Sequence, residues 1–523
     1  MSPAAPAAEQ SPWTKSIPLG EFWPGRPGVV TGLAVATAAV RPGDVFVALP
    51  GTKTHGARYA AQAVAAGAVG IITDSAGAAL AAGAGAPVLA VADPRELMAD
   101  LAARLAGHPG DRLRVIGVTG TNGKTTTVFC VAALLEGLGV PTATIGTMGV
   151  RWRGARLDIG STTVTTPEAP QIQAGLARLV AAGCQAVGME VSSHALALRR
   201  VDGLRFAAAG FTNLGADHLD FHETLDAYFE AKARLFEKGR AAAAVIHTDD
   251  PAGARLADRA RAAKVPVTTL GRRTGVDLWI AAEEPGAAGA THVAVTAPDA
   301  TYEFDLALPG AHNVTDAALA VGLVRAIGLD PRPGLAALAA VRVPGRVQLI
   351  DLPGPAPRVY VDFAHTPQAI ASTLDALKLP KGAPGRLIAV LGAGGDRDVS
   401  KRGPMGAAAA ERAAVVIVTD DNPRSENPAA IREAVLAGAR AVRDSGGRRD
   451  RRFRAWPTPV EISDGGDRRS AIQQALALAG PDDVVAVLGK GHETTQEIAG
   501  EFLPCDDAAI ITESWSHRGE THT

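Results

Sequence analysis

Short, almost uninterrupted apolar runs recur along the chain, at 45–49, 69–73, 88–92, 113–118, 187–191, 206–212, 242–247, 359–363, 387–391, 415–419 and 484–488. Runs of this length with no polar alternation read as strands buried on both faces, the signature of a parallel sheet. Between them lie Ala- and Leu-rich stretches with helical periodicity, including 126–138, 367–377, 429–442 and 469–479. Strand and helix in alternation predict an α/β fold. Residues 291–308 depart from this rhythm. Apolar and polar residues alternate there, which predicts antiparallel strands, and a capped Ala-rich helix is expected over 312–327.

The rhythm divides the chain into three units. Residues 1–112 form an N-terminal α/β domain, of which the Pro/Ala-rich 1–25 reads as a loosely ordered lead. Residues 113–343 form a central domain. The alternation restarts near Gly345, so 344–523 is a C-terminal doubly wound domain, whose ligands should sit outside the carboxyl ends of its strands. A length of 523 residues agrees with about three domains. The net charge of −2 gives no global pull towards nucleic acid or anionic membrane. Cys130, Cys184 and Cys505 are scattered without metal-ligand spacing, which fits a reducing, cytoplasmic setting. No signal-peptide pattern and no long apolar span is visible. The basic run 446–454 reads as a solvated loop.

The chemistry concentrates in a few loops. The strand 113–118 runs into Gly120-Thr121-Asn122-Gly123-Lys124-Thr125-Thr126, and a helix follows. Glycines admit a close backbone approach, and a helix N-terminus favours a phosphate. Lys124 would reach the β- and γ-phosphates, and the Thr125 hydroxyl would ligate Mg²⁺. Val118 stands where the strict P-loop pattern has its first glycine, so Gly120 is expected to make the early turn. Glu190 ends the strand 187–191 and is a candidate Mg²⁺ ligand; otherwise it would cap the next helix. The loop 212–222 carries His218, His222, Asp217 and Asp220. By spacing, Lys232 is an ordinary helical lysine between Glu230 and Arg234, which should pair at i,i+4. In the C-terminal unit, 394–398, 420–424 and 489–493 bring Arg397, Asp421, Asn422, Pro423, Arg424, Gly489 and Glu493 to strand ends. Arginines grip carboxylates and Glu493 could grip an ammonium, so the set suits a zwitterionic amino acid. A salt-bridge network that merely stiffens these loops is the plain alternative.

Taken together, 120–127, Thr165-Thr166-Pro167-Glu168, 190–196, 213–222, His312-Asn313, Gly345-Arg346, 362–367 and 489–493 resemble the Mur ligase family over nearly the whole chain. Within it, 394–398 and Asp421-Asn422-Pro423-Arg424 resemble members that add diaminopimelate as the third peptide residue in peptidoglycan biosynthesis. The resemblance implies three domains: UDP-sugar-binding, P-loop ATPase and amino-acid-binding. It implies ATP and Mg²⁺ as cofactors and a monomer. ATP would phosphorylate the D-Glu γ-carboxylate of UDP-N-acetylmuramoyl-L-Ala-D-Glu, and the amine would then attack the acyl phosphate. By the same resemblance, Thr125 and Glu190 serve one Mg²⁺, His218 and a CO₂-carbamylated Lys232 a second. Asn313 and Arg346 hold the nucleotide, and Asp362 its ribose. Thr37, Thr165, Thr166, Ser192 and Arg200 meet the UDP-sugar peptide. Arg397, Asp421, Asn422, Pro423, Arg424, Gly489 and Glu493 meet diaminopimelate, and an Arg424 stranded without its anion would reject lysine. The family's usual Asp-Ser-Arg is Ala36-Thr37-Ala38 here, and its frequent Gln is Leu198. These departures leave a second acceptor open, another carboxylate used by a paralogue in specialised metabolism. A nucleotide switch or generic ATPase is the competing class. It would need neither Lys232 nor an amino-acid site.

Overall fold

The structure is a computed structural model that describes residues 13–51, 54–159, 164–286, 290–380, 382–445 and 459–520. Among these residues the strands build three main sheets. The first is wholly parallel, in the order Gly32–Ala34, Asp44–Val47, Gly70–Thr73, Val88–Ala90. The second has eleven strands. Its centre is parallel, running from Thr142–Gly146 through Ala186–Glu190, Arg114–Thr119, Ala208–Phe211, Ala244–His247 and Val267–Gly271 to Leu278–Pro285. The alternating segment forms the antiparallel pair Thr291–Ala297 and Ala300–Leu306 at one edge, as its period demands. The third sheet has six strands, parallel except for the edge strand Gln348–Ile350.

The central strands are buried along their length, which is why their sequences lack alternation. The helices start where the chain supplies a cap. Asp93, Thr366, Asn427 and Asp467 each accept a backbone N–H at a helix start. The helix Ala311–Ala326 is an exception: it follows Gly310 at φ 101° with no side-chain cap. A Cβ at Gly310 would press on Ala376, so packing dictates the glycine.

Two expectations need correction. The part of the expected loose lead that is described, residues 13–25, is ordered. Ile17 pairs with Val30, and Ile17, Leu19 and Trp23 are buried in the first domain's core. Their apolar surface covers one face of a small sheet, and that burial outweighs the Pro/Ala bias. Residues 1–12 and the basic loop 446–454 lie outside the described residues. The second correction concerns Glu230, which pairs with Arg255 and Arg259 of the helix Pro251–Ala262 rather than with Arg234. No helix among the described residues is long and apolar enough to cross a membrane.

Candidate active site

The parallel strands of the central sheet end in a row. Thr119, Glu190 and Phe211 close three neighbouring strands, and the loops after them meet. Gly120 has φ 151° and Gly123 φ 86°, so the turn does begin at Gly120. Both glycines are also demanded by packing: a Cβ at Gly120 would collide with the Thr212 hydroxyl, and one at Gly123 with the Asp316 carboxylate. The helix Lys124–Gly137 starts at once, which leaves its first N–H groups facing the loop. The Lys124 Nζ folds back to donate to the Gly120 and Thr121 carbonyls, each at 2.8 Å. Asn122 N donates to Asn213 Oδ1 at 3.0 Å, tying the turn to the next loop.

Glu190 is buried and does not cap the following helix; Ser192 does that. Its carboxylate instead accepts from Thr125 Oγ1 at 2.9 Å, Thr147 N at 2.9 Å and Thr147 Oγ1 at 3.1 Å. Thr147 escaped the sequence reading, although Gly146-Thr147-Met148-Gly149 at a strand end is the kind of turn that merits notice. Asp316 also escaped it. Burial holds its carboxyl well above the usual range, partly offset by the charge of Lys124.

Lys232 is 1% exposed. Its Nζ donates to Gly120 O at 2.9 Å and lies 4.3 Å from the centre of the Tyr228 ring. Burial and then the charge of Lys124 push this amine well below its ordinary 10.5. It is therefore not the ordinary surface lysine that spacing alone predicts. His218 stacks edge-on to Tyr228 from 6.2 Å, so Lys232 and His218 flank one ring. Burial lowers the His218 imidazole to about 4, which keeps it neutral with a free lone pair. His222 is likewise lowered to about 4 by burial. It bonds Ser193 Oγ at 2.9 Å.

A magnesium ion needs oxygen donors. The Thr125 hydroxyl and Glu190 carboxylate are adjacent and suit it. His218 and an unmodified Lys232 amine supply no oxygen, and among the described residues no group of three or more His, Cys, Asp or Glu is gathered to hold an ion. A second ion fits only if Lys232 gains a carboxylate.

Beside this carboxylate row, Thr166 Oγ1 donates to Glu190 O at 2.8 Å and accepts from Ser192 N at 3.0 Å. Arg200 donates to Glu168 Oε1 and to Thr166 O, each at 3.0 Å. Thr165 accepts from Thr147 Oγ1 at 3.4 Å. Thr37 stands on a short 3₁₀ turn, Thr37–Ala39, without a side-chain cap bond.

The third sheet faces this row. Arg346 lies 4.5 Å over the Phe363 ring and its Nη2 donates to Thr125 Oγ1 at 3.2 Å. Asp362 accepts from Val347 N at 2.7 Å, Ala364 N at 2.9 Å and Thr373 Oγ1 at 3.0 Å, so it fixes the Arg346 loop before any ligand arrives. Asn313 Nδ2 donates to Pro309 O at 2.7 Å. Arg397 approaches Asp220 at 3.8 Å and Lys401 approaches Asp217 at 4.0 Å. A cavity of about 460 Å³ opens there, lined by Asp220, Asp396, Arg397 and Asp398.

The strand-end loops of the third sheet are tightly wired. Glu493 Oε2 accepts from Asn422 Nδ2 at 2.9 Å and pairs with Lys490 Nζ at 3.0 Å. A Cβ at Gly489, which has φ 115°, would press on Asp421 Oδ2 at 2.5 Å. Pro423 is buried, and its carbonyl accepts from Glu426 N at 3.1 Å. Behind them Arg468, 1% exposed, makes a bidentate pair with Asp507, at 2.9 and 2.6 Å, and donates to Leu488 O at 3.0 Å. Neither Lys490 nor Arg468 was singled out from sequence, because a basic residue beside a glycine or at a helix start reads as solvated. Arg424 is 24% exposed and paired rather than stranded.

Three family models match the chain: "Mur ligase family, catalytic domain" at 29–105, "Mur ligase middle domain" at 118–324 and "Mur ligase, glutamate ligase domain" at 345–491. The UDP-N-acetylmuramoyl-L-alanyl-D-glutamate–2,6-diaminopimelate ligase of Streptomyces coelicolor is 42% identical over 501 residues, 95% of this chain and 94% of that one. The enzyme of the same name from Corynebacterium glutamicum is 43% identical over 484 residues, covering 91% and 90%. A solved structure, also a UDP-N-acetylmuramoyl-L-alanyl-D-glutamate–2,6-diaminopimelate ligase, matches with a TM-score of 0.66 at 30% identity, covering 97% of this chain and 100% of that one.

Proposed function

The chain belongs to the Mur ligase family, and from that premise we propose that it is the ATP-dependent ligase joining diaminopimelate to the D-Glu γ-carboxylate of UDP-N-acetylmuramoyl-L-Ala-D-Glu in peptidoglycan biosynthesis. The observation that carries this reading is the meeting of two sheets. Arg346 reaches Thr125, while Arg397 and Lys401 reach towards Asp220 and Asp217. A phosphate loop and an amino-acid site thereby share one cleft, an arrangement that a simple ATPase does not need.

In this reading the domains divide at 1–112, 113–343 and 344–523. Lys124 and the helix N-terminus hold the transferring phosphate, and Lys124 exchanges its bonds to Gly120 and Thr121 for phosphate oxygens. Asn313 and Arg346 contact the nucleotide. Asp362 contributes through the loop it pins, and its remaining lone pair is open to a ribose hydroxyl. Thr125 and Glu190 hold Mg²⁺, which when bound neutralises charge on the phosphoryl group. Carbamylation of Lys232 would give His218 the oxygen-bearing neighbour that a second ion needs. Thr165, Thr166, Ser192 and Arg200 position the acceptor peptide, with Thr37 near its nucleotide end. A γ-carboxylate oxygen attacks the γ-phosphorus and ADP leaves. The amine of diaminopimelate then attacks the acyl carbon, and the tetrahedral adduct expels phosphate. Among the described residues Glu493 Oε1 has no hydrogen-bond partner and would take an ammonium, and Arg397 and Arg424 would take carboxylates. We take the protein to act as a monomer. The free cysteines suit the cytoplasm.

The test is product mass after incubation with ATP, Mg²⁺ and the UDP-dipeptide, with meso- or LL-diaminopimelate, lysine or ornithine offered singly. Addition of diaminopimelate is expected. Exclusive addition of lysine or ornithine, or no amide with any of them, would overturn the assignment.

A further inference from the structure

Arg424 is engaged by other groups of the protein. Its backbone is left-handed at φ 52°. Its N–H donates to Glu497 O at 3.0 Å and its carbonyl accepts from Ala499 N at 2.7 Å, which stitches it to the hairpin formed by Thr495–Ile498 and Glu501–Pro504. Nη1 donates to Gly395 O at 2.6 Å, and Nε lies 3.4 Å from Glu497 Oε2. Asn422 Oδ1 accepts from Glu497 N at 2.9 Å and holds that residue in place.

A carboxylate binds a guanidinium in two parallel bonds along one edge. The Gly395 carbonyl takes Nη1, so the usable edge is Nε/Nη2. Nη2 has no hydrogen-bond partner among the described residues, and Glu497 covers the Nε half. The two side chains are 24% and 30% exposed, so this pair can open, unlike Arg468–Asp507, which is sealed at 1% and 0%.

We infer that Glu497 is a specificity-determining residue: an internal carboxylate that occupies the binding edge of Arg424 and is displaced by the far carboxylate of the incoming amino acid. This rests on the reading of Arg424 as the anchor for that carboxylate. Binding is then an exchange of one anion for another. Lysine, with no second carboxylate, leaves the internal pair closed. Discrimination follows from the balance of Glu497 against the substrate, and no stranded arginine is involved.

Glu497→Gln keeps the shape and removes the charge. Its KM for diaminopimelate should fall about two- to fivefold, the span of a partly exposed ion pair, while KM for ATP and the UDP-dipeptide stay put. A second readout needs no turnover. Phenylglyoxal, mapped by peptide mass spectrometry, should modify Arg424 faster in Glu497→Gln and in Glu497→Ala than in wild type. A raised KM would mean that Glu497 holds the substrate's ammonium, and would overturn the inference. So would an unchanged KM, or Arg424 labelling at the wild-type rate in both variants. If the wild type refuses diaminopimelate, the functional reading fails while the labelling comparison still decides the role of Glu497.

Discussion

Lys232 offers the sharpest separation of activity from stability. Replacing it with methionine keeps most of its length and removes the amine. In the wild type that amine is 1% exposed and sits near Lys124. Each factor of ten by which burial disfavours the ammonium costs about 1.4 kcal/mol, or about 3–6 °C in Tm for a domain of this size. The lost bond to Gly120 O is worth about 1 kcal/mol. That carbonyl is not orphaned, because Lys124 also donates to it. Lys232→Met should therefore be at least as stable as wild type in CO₂-free buffer. The sign with pH follows from linkage. The folded protein binds this proton less well than the unfolded chain, so wild-type stability rises with pH up to the ordinary 10.5. The advantage of the methionine variant should be greatest at lower pH and vanish above 10.5. Activity should move the other way. In the proposed site an uncharged amine at Lys232 would attack CO₂, and the carbamate would supply an oxygen ligand for the second ion. Wild-type turnover should drop in CO₂-free buffer and return with bicarbonate. Lys232→Met should lose about a hundredfold or more, and Lys232→Ala should regain part of it with acetate. Calorimetry and phosphate release check both halves. A methionine variant that turns over normally, or that is destabilised across the whole pH range, would rule out this role for Lys232.

Three further outcomes are expected. Lys124→Ala should lose about 10²–10³ in turnover with its urea midpoint unchanged, since Lys124 bonds only the carbonyls of its own loop; a folded, active variant would remove the phosphate role. Thr147→Val deletes one of the two donors Thr147 offers Glu190 and keeps the N–H, so kcat should fall about fivefold to tenfold; an unchanged kcat would mean that Glu190 needs no such support. Asp507→Ala leaves Arg468 buried beside a lost partner and should cost about 3–5 kcal/mol in urea unfolding; a loss under about 1 kcal/mol would show that Leu488 O and Asp421 suffice for that cation.

What could be read in advance was whatever depends on local pattern. The strand 484–488 is five apolar residues in a row, and the structure buries all five. The strand Thr291–Ala297 alternates, and only one of its faces is buried. Gly-Lys-Thr after an apolar strand marked the glycine turn and the helix start at Lys124 for the same local reason. Partnerships across long sequence separations were hidden. Thr147 and Glu190 are 43 residues apart, and Arg468 and Asp507 are 39 apart. The helix period offered Arg234 to Glu230, but the neighbouring helix brought Arg255 and Arg259 closer. Lys232 shows the limit most plainly. Its spacing is that of a surface lysine, and only the three-dimensional fold puts it against Gly120 and Tyr228. Arg424 could be picked out from the sequence, but not Glu497 lying across its edge.

In the proposed reaction a γ-carboxylate oxygen leaves with phosphate as the amide forms. That step is tested most directly with UDP-N-acetylmuramoyl-L-Ala-D-Glu labelled with oxygen-18 in the D-Glu γ-carboxylate, incubated with ATP, Mg²⁺ and diaminopimelate. One oxygen-18 is expected in each phosphate released, with amide product in equal amount. Unlabelled phosphate, or phosphate released at the same rate when diaminopimelate or the dipeptide is omitted, would contradict it.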